Sequence, residues 1–278
     1  MNESLHFKNH LVAYVDVLGF KNIIMGLKGN KIKQIEFLNE YLIDATIKAK
    51  QIKSVKGKSN IKLDIKIISD TFFFSIPCES TDMVNSLAHM AVAVGFLQSY
   101  LCSKGIWTRG AICFGELIRD LDNLVGPALI DSYLLESTDA IYPRVILDTR
   151  LLKFFNGSQD LVSKVNDIQF DNWQGQKLFY LNEHYPLIDT KFSDDLIFVD
   201  YFNGFLGEQE EHSLFLSSID CLEKAFHEKP DIYKKHKWTQ RYFMFKQDRI
   251  SAGVEDIHGI TQDSKTFIST YKTRLARL

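Results

Sequence analysis

The sequence predicts an α+β fold built on one mixed sheet, and three observations carry that prediction. Apolar strand-like runs at residues 11–20, 61–76 and 106–117 alternate with stretches of helical spacing at 31–50, 81–103 and 127–137. A further strand at 144–148 completes the order β-α-β-β-α-β-α-β, which suits a split βαβ, ferredoxin-like (βαββαβ) core with an antiparallel element. Beyond about residue 190 the pattern changes, which marks a C-terminal strand and helical appendage (191–278) packed on the core (1–190).

Each element has its own signal. Residues 11–20, LVAYVDVLGF, read as a central strand. Between 31 and 50, Ile32, Ile35, Leu38 and Leu42 recur at helical spacing. The polar, basic stretch 51–60 reads as a solvated loop. Lys62, Asp64 and Lys66 alternate with Leu63, Ile65 and Ile67, the period of a strand with one wet face. Asp70-Thr71 then forms the turn before a strand at 72–76. Residues 81–103 form a helix with a strongly apolar face, in which His89 reads as a core or surface residue. After the strand at 106–117 comes a loop at 118–125. The next helix carries Pro127 near its first position, where a missing N–H costs little. The segment 194–205 is aromatic and strand-like, and 208–229 and 230–248 are helical. The basic-aromatic cluster 234–242, KKHKWTQRY, could contact phosphates, but a solvated helix face is the favoured reading.

Composition narrows the function. The chain has 278 residues, enough for one large domain or two small ones. A net charge of −2 argues against a general nucleic-acid binder, which carries a basic surplus. No apolar run reaches the roughly 18 residues of a membrane span, and the N-terminus has no signal-peptide apolar region, so a cytoplasmic protein is expected. Cys78, Cys102, Cys113 and Cys221 show no CxxC spacing and read as reduced thiols. His6 and His10 have HxxxH spacing, but on a strand such residues do not pair for a metal.

The informative residues are two aspartates. Asp16 closes the strand HLVAYVDVLGF, and Asp70 follows the strand IKLDIKII. Alone, either is an ordinary strand-end residue. Together, set among Val, Ile, Leu and Phe, they suggest a shared cation, because a desolvated carboxylate is costly without one. Mg²⁺ accepts one or two carboxylates together with substrate phosphates.

The segments VDVLGF, IISDTFFF, RGAICFGEL and GPALIDSYLLES, in that order, resemble the class III nucleotide cyclase catalytic domain, with the likeness covering about residues 8–150. With YPRVILD, they look most like the bacterial branch that includes the pyrimidine cyclases of Pycsar anti-phage defence. The resemblance implies that Asp16, Asp70 and the Val17 backbone hold two Mg²⁺ or Mn²⁺ ions, and that residues Val17, Leu18, Gly19 and Phe20 cradle phosphates. It implies base reading by Lys66, four before Asp70, and Asn123, three before Gly126. Adenylate cyclases carry Lys and Asp at these places and guanylate cyclases Glu and Cys, so the Lys66/Asn123 pair matches neither set. It further implies a head-to-tail homodimer with shared sites, and a separate effector protein reached through the cyclic nucleotide.

The chain departs from the family in the helix after Gly126. Where the family carries Asn and Arg four apart, this chain has Ile130 and Leu134, neither able to donate a hydrogen bond. Arg109 and Arg144, on adjacent strands, are the candidate replacements. Arg109 also fits a strand-end surface residue, and Arg144 an ion-pair partner of Asp139 or Asp148. Three functions remain open: a cyclase making cyclic UMP or CMP (alternatively a purine cyclase), an inactive nucleotide-binding pseudo-cyclase, and a palm-type polymerase. The missing GGDEF-like pair of adjacent acids counts against the last.

Overall fold

Strand β1 (Lys8–Val17) runs through the middle of the sheet, flanked antiparallel by β3 (Thr71–Pro77) and β4 (Thr108–Arg119). The computed structural model describes residues 6–50, 61–120, 123–168, 179–181, 194–202, 209–228, 233–251 and 275–276. The strand β2 (Asp64–Ile68) pairs with β3, and β6 (Val145–Leu147) lies parallel to β4. Beyond it lie β8 (Ile197–Val199) and β7 (Phe179–Leu181), giving the order β2-β3-β1-β4-β6-β8-β7. A two-residue strand, β5 (Leu124–Val125), folds back on the end of β4. The fold is therefore α+β, with the expected strand and helix order through residue 147 apart from the short α1 and the two-residue β5.

Strand alternation gives the sheet two different faces. Leu11, Ala13, Val15 and Val17 point with Phe72, Phe74 and Ile112 into the main core, against α3 (Met83–Ser103). Helix α3 is long and apolar enough to cross a membrane, but almost all of its surface is buried in this core. Helix α2 (Lys31–Lys50) packs on it through Leu42, Ala45 and Ala49, while Ile32 and Ile35 of the anticipated stripe stay exposed. The other face carries Val12, Tyr14 and Asp16 and is covered by α4 (Pro127–Asp139). Ala128, Ser132 and Glu136, spaced by four, are the buried residues of α4. Gly126 lets α4 start hard against β4, since a Cβ there would lie 2.5 Å from the Glu116 carbonyl oxygen.

The structure departs from expectation at several points. The first strand ends at Val17, because Gly19 turns left-handed (φ +73°) and α1 (Phe20–Met25) begins at Phe20. The loop at 118–125 is the β4–β5 hairpin end. A helix α5 (Ser158–Asn166) lies in a stretch to which the sequence assigned no element. The cluster 234–242 is not a solvated face: in α7 (Tyr233–Ser251), His236, Trp238, Thr239, Gln240 and Tyr242 are buried. They join β8 and α6 (Gln209–Glu228) in a second, aromatic core, where Trp238 stacks on Tyr142 at 5.6 Å. The 190/191 division falls between β7 and β8, which pair within the same sheet. The loop at 51–60 lies outside the described residues.

Candidate active site

Antiparallel register places Asp16 between Thr71 of β3 and Arg109 of β4, all three at one end of the sheet. Thr71 Oγ1 donates to Asp16 Oδ1 at 3.3 Å. Strands β2 and β3 are joined by only Ser69 and Asp70, since Ile68 already faces Thr71. Ser69 takes the left-handed φ (+59°) that so tight a hairpin requires. Asp70 is thereby laid against the end of β1, and its carbonyl accepts a 3.2 Å bond from the Val17 N–H.

Burial pushes the Asp16 carboxyl above its usual range, and the Asp70 charge adds to the rise, against opposition from Arg109 and Thr71. Two neighbouring carboxylates, with backbone carbonyls at the same strand end, are a hard oxygen donor set that fits Mg²⁺ or Mn²⁺. Among the described residues no group of three or more His, Cys, Asp or Glu gathers, so such an ion would take its remaining ligands from water and substrate.

The turn after Asp16 is only partly available as a phosphate cradle. The Val17 N–H is bonded to Asp70 and the Leu18 N–H donates to the Trp107 carbonyl at 2.7 Å. Of the four residues anticipated there, Gly19 and Phe20 are the ones whose amides the sheet does not use. Phe20 opens α1, where the first N–H groups have no intrahelical partner. Gly19 holds its left-handed φ without strain and has open space above it.

Lys66 and Asn123, far apart in sequence, meet around one turn. The Lys66 ammonium donates to the Asp120 carbonyl at 3.2 Å, and the Asn123 side-chain amide donates to Asp120 Oδ2 at 3.1 Å. The Asn123 backbone N–H closes the turn on Asp120 Oδ1 at 2.6 Å. An ion pair between Arg119 and Asp64 at 2.7 Å braces the same corner.

The two candidate arginines have different fates. Arg109, half-buried, pairs its Nε with Glu136 Oε1 at 2.6 Å and donates to the Ala140 carbonyl at 3.3 Å. It thus stands beside Asp16 with its guanidinium turned to the end of α4. Arg144 is fully buried, boxed by the rings of Tyr142, Phe198 and Trp238 at 5.3–5.4 Å and paired with Asp194. Neither Asp139 nor Asp148 is the partner: Asp148 instead holds Arg150. The structure therefore brings Arg109 to the aspartates and keeps Arg144 in the aromatic core.

Sequence reasoning passed over Tyr14, Thr71 and Glu136. Tyr14 shares the Asp16 face and meets Phe73 and Tyr133 edge-on at 5.4 and 5.5 Å. Glu136 is only 3% exposed, and burial lifts its carboxyl to about 7 despite Arg109. The four-residue spacing Ala128, Ser132, Glu136 was the available signal for an inward-facing acid. Ile130 and Leu134 lie on the outer face of α4, 60% and 50% exposed, and so bring no polar group to the site.

Comparison with known proteins adds a loose likeness. The chain is similar to the catalytic core of a rhodopsin-guanylyl cyclase with converted specificity, solved in complex with ATPαS. The identity is 14% and the TM-score 0.37, over 69% of this chain and 93% of that one. No protein-family model matches the chain, and no curated protein does.

Proposed function

We propose that the protein is a metal-dependent nucleotide cyclase that converts a pyrimidine nucleoside triphosphate, UTP or CTP, to its 3′,5′-cyclic monophosphate and pyrophosphate. The observation that carries this reading is the meeting of Asp16, Asp70 and Arg109 at one end of β1, β3 and β4. Two Mg²⁺ or Mn²⁺ ions held by Asp16, Asp70 and the Val17 carbonyl would lower the pKa of the ribose 3′-hydroxyl and offset triphosphate charge. The chain's own residues orient the reactants. Gly19 and Phe20 admit phosphate oxygens to the backbone, and Arg109 supplies a fixed cation for the charge that grows as pyrophosphate leaves. Lys66 and Asn123 offer a mixed donor and acceptor surface to a base edge, and a uracil suits the Asn amide.

The reading extends to a head-to-tail homodimer, for which the exposed Ile130, Tyr133 and Leu134 on α4 offer an apolar face, and to a separate effector that reads the product in anti-phage signalling. Incubation of the pure protein with equimolar ATP, GTP, CTP and UTP plus Mn²⁺, followed by mass spectrometry, tests it. Mainly cyclic UMP or CMP is expected, by a large margin, because a site built for one base edge rejects another strongly. Cyclic AMP or GMP would remove the pyrimidine assignment. The apolar Ile130 and Leu134 favour a second reading, a nucleotide-binding pseudo-cyclase, which would bind a triphosphate in the same mixture and release no cyclic product.

A further inference from the structure

We propose that Lys235, carried by the C-terminal helix α7, is a phosphate-binding residue of this site and works beside Arg109 on the triphosphate, an inference that rests on the cyclase reading. Helix α7 reaches the site through its first turn. The His236 ring meets Trp107 edge-on at 5.5 Å, and Trp107 is the residue whose carbonyl holds the Leu18 amide in the turn after Asp16. Two residues further along β4 stands Arg109. One turn into α7, Trp238 stacks on Tyr142, which fixes the helix against the chain just beyond α4. Lys235 therefore begins its side chain next to the mouth formed by β4, the turn after Asp16 and the end of α4.

The surroundings of the ammonium agree with that placement. Lys235 is half-buried, and burial, with the Arg109 charge second, makes it easier to deprotonate than an ordinary lysine, while Glu136 opposes. A lysine that feels both members of the Arg109–Glu136 pair lies on their side of the sheet. Arg109 is already committed to Glu136 and Ala140, whereas the Lys235 side chain makes no hydrogen bond or ion pair among the described residues. Lys235 is thus a cation at the mouth whose ammonium is left to take a phosphate oxygen. Lysine, as a compact point charge, suits a phosphate oxygen. The neighbouring Lys234 is exposed and serves as a control.

The test uses the full chain. Amine acetylation of the wild type is tracked residue by residue by mass spectrometry, with and without the best of the four triphosphates and Mn²⁺. Alongside it, Lys235→Met, Lys235→Arg and Lys234→Met are titrated with that triphosphate and assayed for product. The expected result is that nucleotide protects Lys235 and not Lys234. Lys235→Met should raise the triphosphate Kd and KM at least tenfold, with Lys235→Arg restoring most of the loss and Lys234→Met close to wild type. Wild-type binding or turnover that Lys235→Met leaves within twofold, or unchanged acetylation of Lys235 at saturating nucleotide, overturns the assignment while the cyclase reading stands. A wild type that binds none of the four triphosphates and makes no product overturns the cyclase reading and the Lys235 assignment with it. If Lys235→Met does not fold, the wild-type protection and Lys235→Arg decide alone.

Discussion

Glu136→Gln should make the stability of this protein respond differently to pH. The Glu136 carboxyl sits on the inward face of α4, 3% exposed, and burial lifts it from 4.5 to about 7, with Asp16 adding to the rise and Arg109 opposing it. In the unfolded chain it returns to the ordinary value. Between pH 4.5 and 7 the native state therefore holds a proton that the unfolded state has released, and native stability falls as pH rises through that window. The full shift is worth about 3 kcal/mol, absent below pH 4.5 and complete above pH 7. Glutamine keeps the shape and does not titrate. Wild type and Glu136→Gln should thus differ by a constant at acid pH, and the variant should gain up to about 3 kcal/mol on the wild type as pH is taken past 7. Urea unfolding of both proteins in the presence of a chelator, at steps across this range, measures it through the midpoint at unchanged slope. A difference that stays flat with pH would show that Glu136 ionises normally and that the buried pair with Arg109 is fully charged at neutrality.

Other perturbations probe the same geometry. Asp16→Ala or Asp70→Ala should abolish cyclic nucleotide formation at saturating Mn²⁺ while leaving the circular dichroism spectrum unchanged; near-normal kinetics in either variant would remove the two-carboxylate assignment. Gly110→Ala sets a Cβ 2.3 Å from the Tyr14 carbonyl oxygen and should cost about 1–3 kcal/mol in denaturant unfolding, because the clash is with the β1 backbone. Lys246→Met removes one member of a fully buried pair with Asp200 and should cost about 3–5 kcal/mol, much of it recovered when Asp200→Asn is added. A double variant no better than the single one would refute the stranded-charge explanation.

The features legible in the sequence were mostly local. The helix at 31–50 coincides with α2, because helical spacing, and no breaker, runs its whole length. Its buried side was less legible: Ala45 and Ala49 fill the contact with α3, and small residues add little to an apolar stripe. Asp16 and Asp70 were legible as unusual acids in apolar strands, and their meeting results from a two-residue hairpin and one register. The two arginines could not be told apart. Arg109 lies in β4 and Arg144 just before the neighbouring β6, but the box around Arg144 comes from Phe198, Trp238 and Asp194, about fifty and more residues away in sequence. Lys235 lies in the basic-aromatic run 234–242, but nothing local separated it from its neighbours, since Arg109 and Glu136 beside it belong to β4 and α4. The Asp120 turn that joins Lys66 to Asn123 looked like a plain loop, because its meaning depends on a strand more than fifty residues earlier.

The placement of β8 beside β6 has a consequence for how the chain is made. Ile146 pairs with Phe198, so β6 waits about fifty residues of synthesis for its outer neighbour. At roughly 5–20 residues per second that interval lasts several seconds. During it, the N-terminal strands can assemble while β6 presents an unpaired edge, and Arg144 lacks Asp194, Phe198 and Trp238. An open edge is a template for a neighbouring nascent chain. Polysomes translating this message densely would therefore bring many such edges together, and yield of folded protein should respond to translation rate and to chaperones that shield strand edges.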